Sequence, residues 1–267
     1  MKLFYLTLFF VFPFLPENLK SQDDYNLMIN NQSCVAEFVS IKPALYDKAF
    51  PNPLKGFRGD KPGQEKYPTL KKDYIKWNEI ETSASDGLEK IKQVCNKRWS
   101  GYPELNLKVI PRVYLEWPYK VQNESHTRDT VVSGRGDVRY VERYWPKDLT
   151  PGDYVSDRFK QRLLRMIKNM GLAWDNDARV AYVEMGLIGF WGEQHSPSIN
   201  PEMQKMMGDA FVEAFKNKKV MIRYAKDFTD YPFGEYWDSF AHIGEAKEVK
   251  RLENLGRKWE TTVQNGE

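Results

Sequence analysis

The sequence predicts an α/β chain on a parallel sheet, of the (β/α)8-barrel type but incomplete, with about six strands. Three observations point there. Strand-like runs alternate with amphipathic helical patterns along the chain, which implies parallel strands with right-handed crossovers. The 267 residues fall near the roughly 250 of such barrels. No Gly-rich phosphate loop follows a strand run, which disfavours the nucleotide-binding form of the alternative, an open doubly wound sheet.

Taken in order, residues 36–41 (AEFVSI) are strand-like and lead into a turn-rich loop at 51–59 that carries Arg58. Residues 73–80 (DYIKWNEI) alternate apolar and polar, the pattern of a second strand. Ser85 and Asp86 cap a helix with Leu88, Ile91, Val94 and Cys95 on one face. Residues 107–115 (LKVIPRVYL) form a third strand, which Pro111 is expected to make irregular or bulged. A long charged loop over 117–153 follows, a length that is usually functional or flexible. Asp157 opens a helix with Phe159, Leu163, Leu164, Met166 and Ile167 on its apolar face. Residues 178–188 (ARVAYVEMGLI) are a buried strand run. Asn200 and Pro201 then open another helix as N-cap and first helical residue. Residues 219–224 (KVMIRY) are the fifth strand, 245–255 a helical stretch and 259–263 (WETTV) the sixth strand.

Composition excludes several classes of function. Forty Lys and Arg against 37 Asp and Glu leave a formal charge of +3, which rules out a strongly basic nucleic-acid binder and an acidic tail. Hydrophobic residues at 41% and charged residues at 29% suit a globular chain. Aromatics reach 14%, with eight Trp and fifteen Tyr; most such residues are core, yet their flat faces also suit sugar rings. Residues 1–21 read as a secretory signal peptide, a basic residue then a short apolar run, with an uncleaved anchor as the alternative. Residues 22–267 then form a single domain of roughly 245 residues, secreted, periplasmic or at a cell surface, with no later segment near the ~18 apolar residues of a membrane span. Cys34 and Cys95 either pair or stand as two separate buried thiols. Asn31 and Asn123 begin glycosylation triplets, which matter only on a eukaryotic secretory route. There is no CxxC pair, HExxH, Walker loop or GxGxxG, so no metal or organic cofactor is expected.

In a parallel barrel, chemistry gathers where strands end. Glu116 and Trp117 follow the third strand run, Gly189 to His195 the fourth, and Arg223, Tyr224 and Asp227 the fifth. Within 186–195 the glycines let the backbone approach a ligand, and Trp191 offers a stacking face. Glu193 sits between an aromatic and His195, where its pKa can be tuned for proton transfer; the alternative is a polar surface turn. Glu184 either points into the barrel mouth or is a paired structural acid. Arg112, Arg223 and Arg58 can clamp a carboxylate or hydroxyls, or serve as ion pairs between barrel layers. Trp237 and Asp238 lie in an aromatic stretch that suits either a sugar-lined cleft or plain packing. His126 and His242 are isolated and read as ordinary polar residues.

NPLKGF at 52–57, VAYVEMGLIGFWGEQH at 180–195, RYA at 223–225 and YPFGEYWDSF at 231–240 resemble a family of secreted, glycoside-hydrolase-like barrel proteins. That family is named only as paired domains of unknown function, whose N- and C-terminal halves together make a (β/α)8 barrel. WETTVQNGE at 259–267 resembles its W…GGE segment, with Asn265 in place of the first Gly. The resemblance implies a sugar-active barrel with a carbohydrate partner and no cofactor, and it carries fold better than reaction. It places Glu193 after the fourth strand, where many retaining barrel glycosidases hold their acid/base. Their nucleophile usually follows the seventh strand, whereas Glu267, the candidate second carboxylate, falls on the sixth by this count. Expected substrate-binding residues are Trp191, His195, Arg223, Tyr224, Trp237, Asp238, Arg112 and Glu116. The leading expectation is glycosidic cleavage by Glu193 and Glu267. The alternatives are a non-catalytic carbohydrate-binding barrel, or a lyase with Tyr224 or His195 as base. Because the last residue falls inside a motif that continues in the family, the chain is expected to be a truncated barrel, inactive and poorly soluble as it stands.

Overall fold

The first strand among the described residues, β1 (Leu70–Lys76), pairs in parallel with β2 (Lys108–Tyr114) over seven residues, from Leu70 opposite Lys108 to Lys76 opposite Tyr114. The structure is a computed structural model that describes residue 54 and residues 68–120, 130–132, 138–237 and 264–266. All of them fall within one unit, Ala49–Glu267. The expected strand at 36–41 and helix at 245–255 lie outside the described residues.

Sequence patterns misplace two elements around β1. The strand stops at Lys76, and Trp77–Ile80 turns into a short helix, α1. Burying both Trp77 and Ile80 requires helical spacing, and the Trp77 indole donates to Glu81 at 2.8 Å. The next helix, α2 (Leu88–Arg98), begins after Gly87 without a side-chain cap. Asp86 instead accepts from the Thr82 amide at 2.6 Å and from Lys90 at 2.8 Å.

Toward β1, strand β2 runs through Pro111 without a bulge; the irregularity expected there falls on its other side. In a parallel ladder alternate residues bond to opposite neighbours. Val109 bonds toward residues 179 and 181, and Val113 accepts from Leu187, so the odd residues of β2 face the next strand, β6 (Tyr182–Glu184). Pro111 lies between those two points with no amide to give, and among the described residues the ladder toward β6 is reduced there to the bridge between Val109 and Val180. From β6 the order continues through β7 (Lys219–Ile222), β8 (Gly234–Trp237) and β9 (Gln264–Gly266), every pairing parallel. Six parallel strands therefore lie in chain order, β2 and β6 being joined by the bridge between Val109 and Val180. Among the described residues they do not close into a barrel.

Within the aromatic stretch at 233–240, Gly234–Trp237 forms a strand, β8, paired on both sides, with Tyr236 fully buried. The expected strand at 259–263 lies outside the described residues, and the strand present is β9. The long loop at 117–153 is also corrected. It folds into an antiparallel sheet in the order β3 (Glu116–Lys120), β5 (Val138–Arg143) and β4 (Thr130–Val132). Its charges hide the alternation that marks a strand.

Two long helices cover the outer face. In α3 (Asp157–Trp174) Phe159, Leu163, Met166, Ile167 and Met170 are all buried at helical spacing, while Leu164 is exposed. The Ser156 hydroxyl accepts from the Phe159 amide at 3.2 Å and caps it. Asn200 caps α4 (Pro201–Ala214) as expected, its side chain accepting from the Met203 amide at 2.8 Å. The sheet is buried on both faces, as parallel sheets are. Val113, Val183 and Ile222 pack toward the helices, and Leu70, Ile110, Ala181, Met221 and Tyr236 form the smaller inner cluster. Cys95 is a free thiol buried on α2, and Cys34 lies outside the described residues. No helix among the described residues is long and apolar enough to cross a membrane.

Candidate active site at the strand ends

On β1, Lys72, Tyr74 and Lys76 alternate onto one face, and on β2 Arg112 and Tyr114 do the same. Above the inner apolar cluster this face carries a layer of charge. Arg112 is fully buried; its Nε lies 2.5 Å from Glu184 Oε2, and its Nη1 donates to Glu193 Oε1 at 3.2 Å and to the Tyr74 hydroxyl at 3.1 Å. Its guanidinium also stacks 4.1 Å from the Tyr236 ring centre. Lys72 Nζ stands 3.5 Å from Glu184 Oε2, so Glu184 is a paired, buried acid. Charges taken from water need such partners. Burial works against the Arg112 charge, and Glu184 is the chief neighbour that restores it, leaving its pKa raised.

Glu193 reaches this layer from the segment after β6. That segment is built by an unusual backbone: Leu187, Trp191, Gln194 and Ser196 have positive φ alongside Gly186, Gly189 and Gly192. Two of the glycines are also sterically required. A Cβ on Gly186 would lie 2.4 Å from the Val113 carbonyl, and one on Gly189 would lie 2.2 Å from the His195 carbonyl. The loop thus folds back against β2, with the Trp191 amide donating to the Glu116 carbonyl at 2.9 Å. Glu193 Oε2 then stands 3.3 Å from His195 Nε2 and 3.9 Å from Arg223 Nε. Burial works to raise the Glu193 pKa, but the His195 contact and the Arg112 and Arg223 charges outweigh it and hold the carboxyl below the ordinary glutamate value.

Around this carboxylate lies an aromatic surface. Trp117 packs edge-on to Tyr74 and Tyr114, both at 5.2 Å, and to Trp191 at 6.4 Å. Tyr144 closes against Tyr114 at 5.3 Å, and Trp191 lies 6.0 Å from the His195 ring. Trp117, Trp191, Tyr144 and His195 are all half-buried, so part of each ring meets solvent.

Of the sequence-predicted site residues, Arg112, Glu193, His195, Arg223 and Trp191 come together here. Tyr224 is half-buried beside the Arg223 guanidinium, at 5.1 Å. Glu116 goes elsewhere. Its carboxyl accepts from the Trp145 indole at 3.2 Å, on the side of the helix-facing core, and burial raises its pKa against that bond. Its backbone, rather than its carboxyl, serves the site. Trp237 ends β8 opposite Gly266, while Asp238, Glu267 and Arg58 lie outside the described residues. Sequence reading missed Lys72, Tyr74, Tyr114, Tyr144 and Tyr236. Strand parity with Arg112 would have found those on β1 and β2. Tyr236 was hidden by the unrecognised β8, and Tyr144 by the unrecognised antiparallel sheet. Among the described residues no group of side chains is arranged to hold a metal ion.

No family model matches the chain, and no curated protein matches it. Among solved structures it is similar to exo-beta-1,4-mannosidase Op5Man5 from Opitutaceae bacterium strain TAV5, at 9% identity over 58% of this chain and 25% of that one, with a TM-score of 0.40. It is also similar to endo-glycoceramidase II from Rhodococcus sp. as its lactosyl-enzyme intermediate, at 10% identity over 74% of this chain and 64% of that one, with a TM-score of 0.40. A second structure of the latter enzyme gives 9%, 80%, 72% and 0.40. The chain thus spans a quarter of the mannosidase and 64% of the endo-glycoceramidase intermediate.

Proposed function

We propose that this chain is a carbohydrate-active protein of the glycoside-hydrolase-like barrel family named by its motifs, with its sugar site at the C-terminal ends of the parallel strands. One observation carries the reading. A nearly buried carboxylate, Glu193, is oriented by Arg112, Arg223 and His195, and the His195 ring packs 6.0 Å from the half-buried ring of Trp191, which in turn meets Trp117 at 6.4 Å. Aromatic faces bind sugar rings, and a fixed carboxylate can act on the bond between them.

In the resting site Glu193 is ionised. That state suits the base half of acid/base catalysis, or stabilisation of positive charge that develops on the sugar. His195 touches the same oxygen and is placed to exchange a proton with it. Arg112 and Glu184 hold the geometry from below. Glu267 is proposed as the second carboxylate on chain position alone. If the strand expected at 36–41 from sequence is counted first, β9 stands seventh and Glu267 follows it in the chain, which would remove the one-strand shortfall of the sequence count. Secretion belongs to the same proposal and rests on the pattern of residues 1–21.

The test is turnover of a glycan panel by the parent and by Glu193→Gln. A fall of roughly 100-fold or more is expected on any glycan the parent cleaves. Unchanged turnover would remove Glu193 from the chemistry. A second reading, a barrel that binds glycans without cleaving them, is favoured by the same ion network, which holds Glu193 as a buried salt-bridge partner. Binding without any product from the parent would decide for it.

A further inference from the structure

We propose that the mouth of this site takes an acidic sugar, whose carboxylate or sulfate is met by Lys76 above an aromatic floor of Tyr114, Tyr144 and Trp117; this rests on the carbohydrate reading above. Lys76 is the last residue of β1, at the end of the sheet where the site lies, and in register with Tyr114. It shares the inner face of the strand with Lys72 and Tyr74. Lys72, one layer deeper, is neutralised by Glu184. Lys76 has no carboxylate partner among the described residues. Lys76 is half-buried, and its ammonium stands 4.1 Å over the centre of the Tyr144 ring.

The neighbouring acids are engaged elsewhere. Glu79 accepts from Arg98 at 3.0 Å. Glu142 accepts from the hydroxyls of Tyr119, at 3.4 Å, and Tyr144. Among the described residues a ring face is what this half-buried lysine meets, and an anion would complete its charge. The rings around it fix what carries that anion. Tyr114 is buried and locks the half-buried rings of Tyr144 and Trp117 edge to face, so the accessible parts of those two rings are held rigid, as contact with a sugar ring requires. A neutral sugar would use the rings and leave the cation unanswered. A lysine, being a point charge rather than a planar fork, accepts carboxylate and sulfate oxygens alike.

The experiment applies the full 267-residue chain to an array of matched neutral, uronate-bearing and sulfated glycans, then titrates the retained probes. Retention is expected for anionic probes, and the arm that binds tells carboxylate from sulfate. Lys76→Met should weaken that binding by roughly tenfold and Lys76→Arg by much less, with thermal unfolding of both as in the parent. Retention of neutral probes in preference, or acidic binding by Lys76→Met equal to the parent, would overturn the inference and leave the carbohydrate reading standing. Retention of no glycan of any class would overturn both.

Discussion

Glu193 shows how much one side chain depends on its neighbours. Two arginines and a histidine outweigh the cost of burial, so its folded pKa lies below the ordinary 4.5. A carboxyl with a depressed folded pKa contributes stability above its unfolded pKa and loses it as pH falls through the folded value. Urea midpoints of the parent should therefore fall more steeply than those of Glu193→Gln as the pH drops below about 4.5. Parallel pH profiles for the two chains would show that the ion network does not hold the carboxylate. The residue types of this network were legible in the sequence, since Arg112, Glu193, His195 and Arg223 all sit at strand ends. Glu184 was not, because a buried acid reads the same from sequence whether it lines a mouth or pairs with Arg112. Glu116 shows the opposite limit. It stands at a strand end, yet its carboxyl turns to the Trp145 indole.

At the scale of elements, periodic patterns were read well and irregular ones poorly. Helices α3 and α4 announce themselves by apolar spacing and, for α4, by the cap at Asn200. Their contact is set by a glycine: a Cβ at Gly171 would lie 2.3 Å from the Ala214 carbonyl and 2.7 Å from its Cβ. Gly171→Ala should lower stability by about 1–3 kcal/mol in chemical denaturation, because backbone rather than a flexible side chain must move. An unchanged midpoint would mean that the helices separate freely. Strands β3, β4 and β5 are short and carry charges or a proline among their apolar positions, which hides their alternation, and β8 is a four-residue run rich in aromatics with no visible period. The irregularity expected at Pro111 is one-sided: β2 pairs regularly with β1, while toward β6, where the missing amide would bond, the ladder is interrupted.

For the whole molecule, the outer core must open before its interior can react. Cys95 is 2% exposed, and burial pushes its thiol up to about 12. In a Cys34→Ser chain, which leaves one thiol, alkylation should follow global unfolding in urea rather than precede it. Stability should decline as pH rises above the ordinary thiol value of 9.0, since the unfolded chain then loses a proton that the folded chain keeps. Fast labelling of the folded chain would show that α2 opens independently. The alternation of strands and helices, the parallel sheet and the glycine-rich turn around Trp191 were all present in the order of residues, because periodicity and turn chemistry are local. The meeting of Arg112, Glu184, Glu193 and Arg223, and the exposure of Lys76 beside a ring, were not. They join residues up to 111 positions apart, from Arg112 to Arg223, and Glu193 meets its partners through a loop folded back in positive-φ conformations. Such contacts arise only when strands distant in the chain become neighbours in the sheet.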